Sequence, residues 1–242
     1  MKKNFYLIVI SLLMASCSSE PHYVVKGKIE GSDSITFYLQ KREAGKIVNI
    51  DSALSKKGPF TLKSGKIDYP QMIQLVAGNT RKRTSFYLEN SEIIVTGTLD
   101  SLYKATITGS KTQDEYQSLI DSNKPLSDKY SEIVVEFKTA NSTGDTARIA
   151  ILEKQADSVQ NEMTNLQKNF VKNNPGSYVS PSILASMSYD MEATEIESII
   201  NAMDTAVASI PQVVLLKERV TVMKKVAIGQ KAPDFTSSDV DG

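Results

Sequence analysis

The chain has 242 residues, of which 40% are hydrophobic and 23% charged, and its 28 basic residues balance its 28 acidic residues. These values are ordinary for a globular protein, and they exclude a disordered tail, a collagen-like fibre, a polytopic membrane protein and the basic footprint of a nucleic-acid binder. With one histidine, one cysteine and no tryptophan, the chain cannot supply a histidine-based metal site, a disulfide framework or a redox pair of cysteines.

Residues 1–16 have the features of a bacterial export signal. Two lysines supply the positive start, and an apolar stretch of roughly ten residues follows. That length is typical of the hydrophobic region of a signal peptide and is too short to span a bilayer. Two small residues then stand directly before Cys17, the only cysteine of the chain.

The segment over residues 13–17 resembles a bacterial lipobox, the cleavage site of lipoprotein signal peptidase. The resemblance implies that Cys17 becomes the new N-terminus and carries several acyl chains, which together anchor a protein firmly. Residues 17–21 then form a lipidated tether. Ser18 stands where many inner-membrane lipoproteins have Asp, so the resemblance implies a cell-envelope location at the outer membrane, facing the periplasm. The alternative is a secreted protein with an incidental cysteine.

Residues 22–109 alternate between apolar and polar positions in short runs separated by turn residues, which is typical of β-strands. About eight strands at this spacing predict an antiparallel β-sandwich or barrel. The predicted strands cover 23–30, 34–40, 46–53, 60–63, 71–76, 84–88, 92–99 and 104–108. A basic run, Arg81-Lys82-Arg83, indicates either a phosphate-binding patch or a solvated hairpin end.

The hydrophobic period changes near residue 110 to steps of three and four residues. Two stripes with this heptad spacing flank a polar break at 141–145 and predict a long antiparallel helical hairpin. The stripes are Tyr116, Leu119, Asn123, Leu126, Tyr130, Ile133 and Phe137, then Ile149, Leu152, Ala156, Val159, Met163, Leu166 and Phe170. Asp145 or Thr143 should cap the second helix, and Pro125 should kink the first or begin its second half. Shorter helices are predicted over 181–189, 194–208 and 211–226.

The last residues contain Ala232-Pro233-Asp234-Phe235 after an apolar-Gly-x-x pattern, and an Asp-x-x-Gly sequence ends at Gly242. This segment resembles the opening of a redoxin domain of the peroxiredoxin and membrane-anchored thioredoxin kind. The order of parts is similar to that of Bacteroidetes-type lipoproteins with an uncharacterised N-terminal β domain and a helical middle region before a thioredoxin-like domain. The predicted α+β chain therefore divides into a signal peptide (1–16), a lipidated tether (17–21), a β domain (22–109), a helical domain (110–226) and the start of a truncated redoxin domain (227–242).

A thioredoxin-like domain works through a Cys-x-x-Cys pair, which these 242 residues do not contain. The resemblance therefore implies a non-catalytic, membrane-anchored platform that tethers and selects clients for a redox domain absent from this chain. The full-length family would be thiol:disulfide oxidoreductases. The expected partners are the membrane and protein clients, with no nucleic acid and no cofactor. The alternative is an independent cell-envelope lipoprotein that binds a glycan, a peptide or a partner protein.

Six Asp residues are followed by Ser or Thr and then by an apolar residue, whereas composition alone would give roughly one. This pattern resembles the O-glycosylation acceptor of exported Bacteroidetes proteins. The candidate acceptors are Ser34, Ser52, Ser101, Thr146, Ser158 and Thr205. The alternative is turn and helix-cap chemistry, because Asp-Ser pairs favour both.

Overall fold

The computed structural model describes residues 22–43, 45–63 and 65–230. Eight strands come first, and helices follow, which confirms the predicted α+β class. The strands are β1 (Val24–Glu30), β2 (Thr36–Glu43), β3 (Lys46–Leu54), β4 (Pro59–Leu62), β5 (Gln71–Ala77), β6 (Arg83–Leu88), β7 (Glu92–Thr98) and β8 (Thr106–Thr108). The helices are α1 (Lys111–Thr143), α2 (Thr146–Asn173), α3 (Ser180–Met187), α4 (Ala193–Ala202), α5 (Thr205–Ala208) and α6 (Pro211–Lys225).

The strands form two four-stranded sheets, so the β domain is a sandwich and not a closed barrel. The first sheet has the order β4-β1-β7-β8 and the second the order β3-β2-β5-β6. The expected antiparallel pairing holds for every strand pair but one, because β1 and β7 run parallel. The first strand of the domain is thereby placed between β4 and β7, at the centre of its sheet.

Side chains from the inner faces of both sheets form the main core. Phe37 of β2 stacks on Phe60 of β4 across the sandwich, with ring centroids 4.2 Å apart. Gly27 of β1 leaves room for this stack, because a Cβ atom there would lie 2.0 Å from the Phe60 ring. The other fully buried residues of this core include Val25, Ile29, Leu39, Leu62, Ile73, Leu75, Phe86, Leu88, Ile93, Val95 and Leu102.

Two predicted strands begin later in the structure than their alternation suggests. Ser34 has a φ of 60°, a left-handed conformation that a strand cannot contain, and so β2 starts at Thr36. The predicted strand 104–108 is shortened by a 3-10 turn over Leu102–Lys104, which buries Leu102. The amide of Ala105 donates to the carbonyl of Leu102 at 3.0 Å, and β8 therefore begins only at Thr106.

The two long helices pack along the predicted stripes, which confirms the helical hairpin. Leu119, Ile133, Leu152 and Val159 are buried, and most other stripe members pack against them. Asp145 caps α2 by accepting a hydrogen bond from the amide of Arg148 at 2.9 Å. The first helix runs unbroken through Pro125, so this proline does not begin a second helix. None of the helices described is both long and apolar enough to cross a membrane.

The predicted helix over 194–208 is wrong in one respect, because the structure divides it into α4 and α5. Met203 and Asp204 have extended backbones, with ψ values of 147° and 144°. The amide of Asp204 donates to the carbonyl of Pro175 at 3.1 Å instead of to its own helix. This bond joins the helical end of the chain to the turn after α2, a contact that periodicity cannot reveal.

Candidate functional site

The predicted lipidation site, Cys17, lies outside the described residues, as do the tether 17–21 and residues 231–242. Lipidation therefore stays a prediction. No group of three or more His, Cys, Asp or Glu side chains that could hold a metal ion occurs within the described ranges.

Five of the six candidate glycosylation sites are exposed in the structure. These five residues are Ser34, Ser52, Thr146, Ser158 and Thr205. The sixth, Ser101, is half-buried, and its Oγ lies 2.8 Å from Oγ1 of Thr98. Exposure of the hydroxyl is necessary for modification, and Ser101 is the least accessible candidate.

The aspartates of this pattern also have structural roles. Asp33 accepts a hydrogen bond from the amide of Lys57 at 2.6 Å, and Asp51 accepts one from the amide of Ser52 at 2.7 Å. Asp145 is the helix cap described above. The bond of Asp145 is the cap chemistry of the alternative interpretation. The bond of Asp33 reaches a residue 24 positions away, and Asp51 lies within β3, so both explanations of the pattern stay open.

The basic run at 81–83 divides into residues with different surroundings. Lys82 forms an ion pair with Asp100, at a distance of 2.6 Å from Nζ to Oδ1. The hydrogen bond from Lys82 lowers the pKa of the Asp100 carboxyl group below its ordinary value. The side chain of Arg83 forms no ion pair or hydrogen bond within the described part of the chain. It borders two surface cavities.

The first cavity, of about 310 Å³, opens on the outer face of the sheet β3-β2-β5-β6. The inner face of this sheet carries the apolar core, and the side chains that alternate with it point outward. The cavity combines amides, cations and exposed apolar groups, namely Gln40, Gln74, Arg42, Arg83, Ile47 and Met72. Gln40 donates to Asn49 at 2.9 Å, which holds one of these amides in place.

The second cavity, of about 410 Å³, adjoins the first at Arg83 and Ser85. It lies between the edge of β6, the segment around Tyr103 and the first turns of α1. Tyr103 is exposed, and Ile107 and Ile120 add apolar surface. Together the two cavities form a surface, the Arg83 groove, that offers hydrogen-bond donors and acceptors, positive charge and apolar contacts. Such a surface is suited to binding an extended polar ligand.

A buried joint connects the sandwich to the helices beside the Arg83 groove. Tyr87 of β6 lies on the outer face of its sheet but is only 2% exposed, because Tyr116 of α1 packs edge-on against its ring at 5.4 Å. Its hydroxyl lies 3.3 Å from the hydroxyl of Ser182 on α3. Burial raises the pKa of the Tyr87 phenol above its ordinary value. One side chain of the sandwich thus contacts two helices.

The beginning of α1 is also fixed to the sandwich by polar contacts. The carboxylate of Glu89 accepts hydrogen bonds from the amide of Lys111, at 2.6 Å, and from the hydroxyl of Thr112, at 2.7 Å. A carboxylate in this place satisfies free amides at the helix start and opposes the positive end of the helix dipole. Gln113 is only 3% exposed, and its side-chain oxygen accepts a hydrogen bond from the amide of Tyr87 at 3.0 Å.

Sequence reasoning missed the role of Gln113. Ser110 and Gln113 have the Ser-x-x-Gln spacing of a capping box, and Ser110 does accept the amide of Gln113 at 3.1 Å. The side chain of Gln113, however, bonds Tyr87 of the sheet and not the helix start. The capping spacing was the available signal for the helix start, but nothing in the local sequence indicates the partner.

By its architecture the chain is an eight-stranded β-sandwich joined to a helical region. Its residues 23–116 match the family described as a domain of unknown function, DUF4369. The match covers the sandwich and the first turns of α1, and it ends at Tyr116, the residue that packs on Tyr87. No curated protein and no solved structure matches the chain.

Proposed function

We propose that the chain is the membrane-anchored, non-catalytic platform of a thiol:disulfide interchange lipoprotein of the redoxin type. In this proposal Cys17 carries the lipid, and the sandwich and helices together hold a redox domain that begins at residues 227–242 and continues beyond them. The platform faces the periplasm from the outer membrane, and the clients are proteins with disulfides.

The observation that carries the proposal is the buried joint between the sandwich and the helices. Tyr87, Glu89 and Gln113 fix the start of α1, and the tie between Asp204 and Pro175 fixes the later helices. Helix α1, with 33 residues, is about 50 Å long at 1.5 Å per residue. A body with these fixed connections is suited to keep a downstream domain at a constant distance and orientation from an anchor.

Two measurements test the proposal. Mass spectrometry of the N-terminus of the protein from its native membrane should show an acylated Cys17. The reading frame beyond codon 242 should continue into a domain with a Cys-x-x-Cys pair. An unmodified protein free in the periplasm would contradict the lipid anchor at Cys17. A stop after codon 242 in a stably made protein would contradict the presence of a redox domain.

The Arg83 groove supports a second candidate, a binding lipoprotein that recognises a peptide or glycan through its β domain. The supporting observation is that Arg83 has no partner among the described residues although it borders both cavities. Arg83→Glu should weaken binding of an acidic peptide. Lys28→Glu is the matched control, because Lys28 is exposed on β1, in the other sheet. Equal effects of the two variants would show that only net charge matters.

A further inference from the structure

The strand β6 lies at the edge of its sheet, because within the described ranges it pairs with β5 and with no other strand. In an antiparallel pair, every second residue directs its N–H and C=O groups to the partner strand, and the residues between direct theirs to the opposite side. The amide of Ala77 donates to the carbonyl of Lys82 at 3.0 Å, one position before β6 and in the same register. The main-chain groups that point away from β5 are therefore those of Arg83, Ser85 and Tyr87.

One of these three residues is covered, and two are not. The amide of Tyr87 donates to the side chain of Gln113 at 3.0 Å, so α1 supplies the partner that a further strand would supply. Arg83 and Ser85 are exposed, and their outward main-chain groups have no hydrogen-bond partner in the part of the chain that the structure describes. The free part of the edge therefore offers two N–H groups and two C=O groups.

The second cavity of the Arg83 groove runs along this free edge. Arg83 and Ser85 line one side of it, and Tyr103 and Ile107 line the side of the other sheet. Gln113 also borders the cavity, at the position where the edge becomes covered. An uncovered strand edge is a template for pairing with another chain, and here it lies in a cavity of about 410 Å³.

The charge of the groove favours an acidic ligand. The described residues that line the two cavities include three cations, Lys41, Arg42 and Arg83, and no acid. In an added strand, the residue directly opposite Arg83 points to the same face as Arg83, where an acidic side chain would pair with it. The next residue of that strand points to the other face, toward Tyr103 and Ile107, where an apolar side chain fits.

We propose that the Arg83 groove binds an extended peptide as an added strand on β6, with acidic residues opposite Arg83 and Ser85 and apolar residues between them. The inference rests on the binding function proposed above for this groove, and it names the class of ligand and the way it binds. Arg83 and Ser85 are two residues apart, about 7 Å along the strand, which is also the repeat of the main-chain groups on one side of an extended peptide. Main-chain hydrogen bonds give such a complex its affinity, and alternate side chains give it specificity.

The test uses a fluorescein-labelled peptide, Ser-Val-Glu-Val-Glu-Val-Ser, and fluorescence anisotropy with residues 18–242. N-methylation of both glutamates removes the two donors that face β6 and should weaken binding about tenfold or more, since each lost main-chain hydrogen bond weakens it several-fold. N-methylation of the second and third valines is the matched control. Their amides face away from β6, so this peptide should bind within about threefold of the unmodified one.

A variant of the protein tests the same bonds from the other side. Ser85→Pro removes an N–H that β5 does not use, and proline is tolerated at such outward positions of edge strands. This variant should bind the unmodified peptide about tenfold more weakly, whereas Ser85→Ala keeps the N–H and should bind it as the parent does. The methylated peptides use the unaltered protein, so the test does not depend on the folding of the proline variant.

The outcomes separate this inference from the binding function on which it rests. Equal affinities of the two methylated peptides would overturn the added strand, and a loss of binding in Arg83→Glu would then support the groove as a binding site alone. No binding of the unmodified peptide would overturn both. A dimer of residues 18–242 that Ser85→Pro dissociates in sedimentation experiments would also overturn the inference, because a second copy of the chain would then occupy the edge.

Discussion

The joint between the sandwich and α1 depends on Gln113, and Gln113→Ala should destabilise the protein measurably. The substitution leaves the amide of Tyr87 buried without an acceptor, since Gln113 supplies its hydrogen bond at 3.0 Å and is itself buried. A buried donor that loses its partner costs about 1–3 kcal/mol. Alanine is a slightly better helix former than glutamine, so helix propensity does not contribute to the loss.

The assay is urea unfolding of residues 18–242 followed by circular dichroism. With a slope of about 3 kcal/mol/M, a loss of about 2 kcal/mol lowers the midpoint by about 0.7 M. Gln117→Ala is the matched control, one turn later on α1, where the exposed side chain bonds Asp121, and it should stay within about 0.5 kcal/mol of the parent. Equal midpoints for the two variants would refute the view that the joint depends on Gln113.

Three further predictions concern the sandwich and its joint. Burial raises the pKa of the Tyr87 phenol, so the stabilisation by the neutral phenol is complete below about pH 10 and is lost as the pH rises further. Tyr87→Phe should therefore reduce the fall of the urea midpoint between about pH 9 and 11. An unchanged fall in the variant would contradict this prediction. Gly27→Ala places a Cβ 2.0 Å from the Phe60 ring and should cost about 1–3 kcal/mol, whereas Gly65→Ala, with its nearest contact at 4.0 Å, should cost much less. A fragment of residues 22–120 should give a sheet-type circular dichroism spectrum and a higher melting temperature than 22–109, since only the longer fragment keeps the contacts of Gln113 and Tyr116 with Tyr87. Equal melting temperatures would show that these contacts do not stabilise the sandwich.

The helical hairpin could be predicted from the sequence because its packing repeats along the helix. Each stripe residue contacts the facing helix every three or four positions, so the pattern in the sequence is the pattern of the interface. The break between α4 and α5 could not be predicted in this way. At the break the amide of Asp204 bonds the carbonyl of Pro175, a residue that only the tertiary structure brings near.

The strands were predictable for the same local reason, but their order was not. Alternation identifies which side of a strand is buried, and it carries no information on which neighbour the strand pairs with. The parallel pairing of β1 with β7 therefore needed the structure. The Arg83 groove was visible in the sequence only as a basic run. The structure separates Lys82, which is paired with Asp100, from Arg83, which borders both cavities.

The most direct test of the proposed function is insulin-disulfide reduction by the natural gene product, compared with residues 18–242. A turnover needs a nucleophilic thiolate and a second sulfur to resolve the mixed disulfide. Residues 18–242 have no cysteine, so we predict no reduction by this chain and measurable reduction by a product that continues into a Cys-x-x-Cys domain. Insulin reduction by residues 18–242 free of contaminating thioredoxin would contradict the proposal that this chain is a non-catalytic platform. The absence of reduction by the natural gene product would contradict the proposal that a redox domain follows.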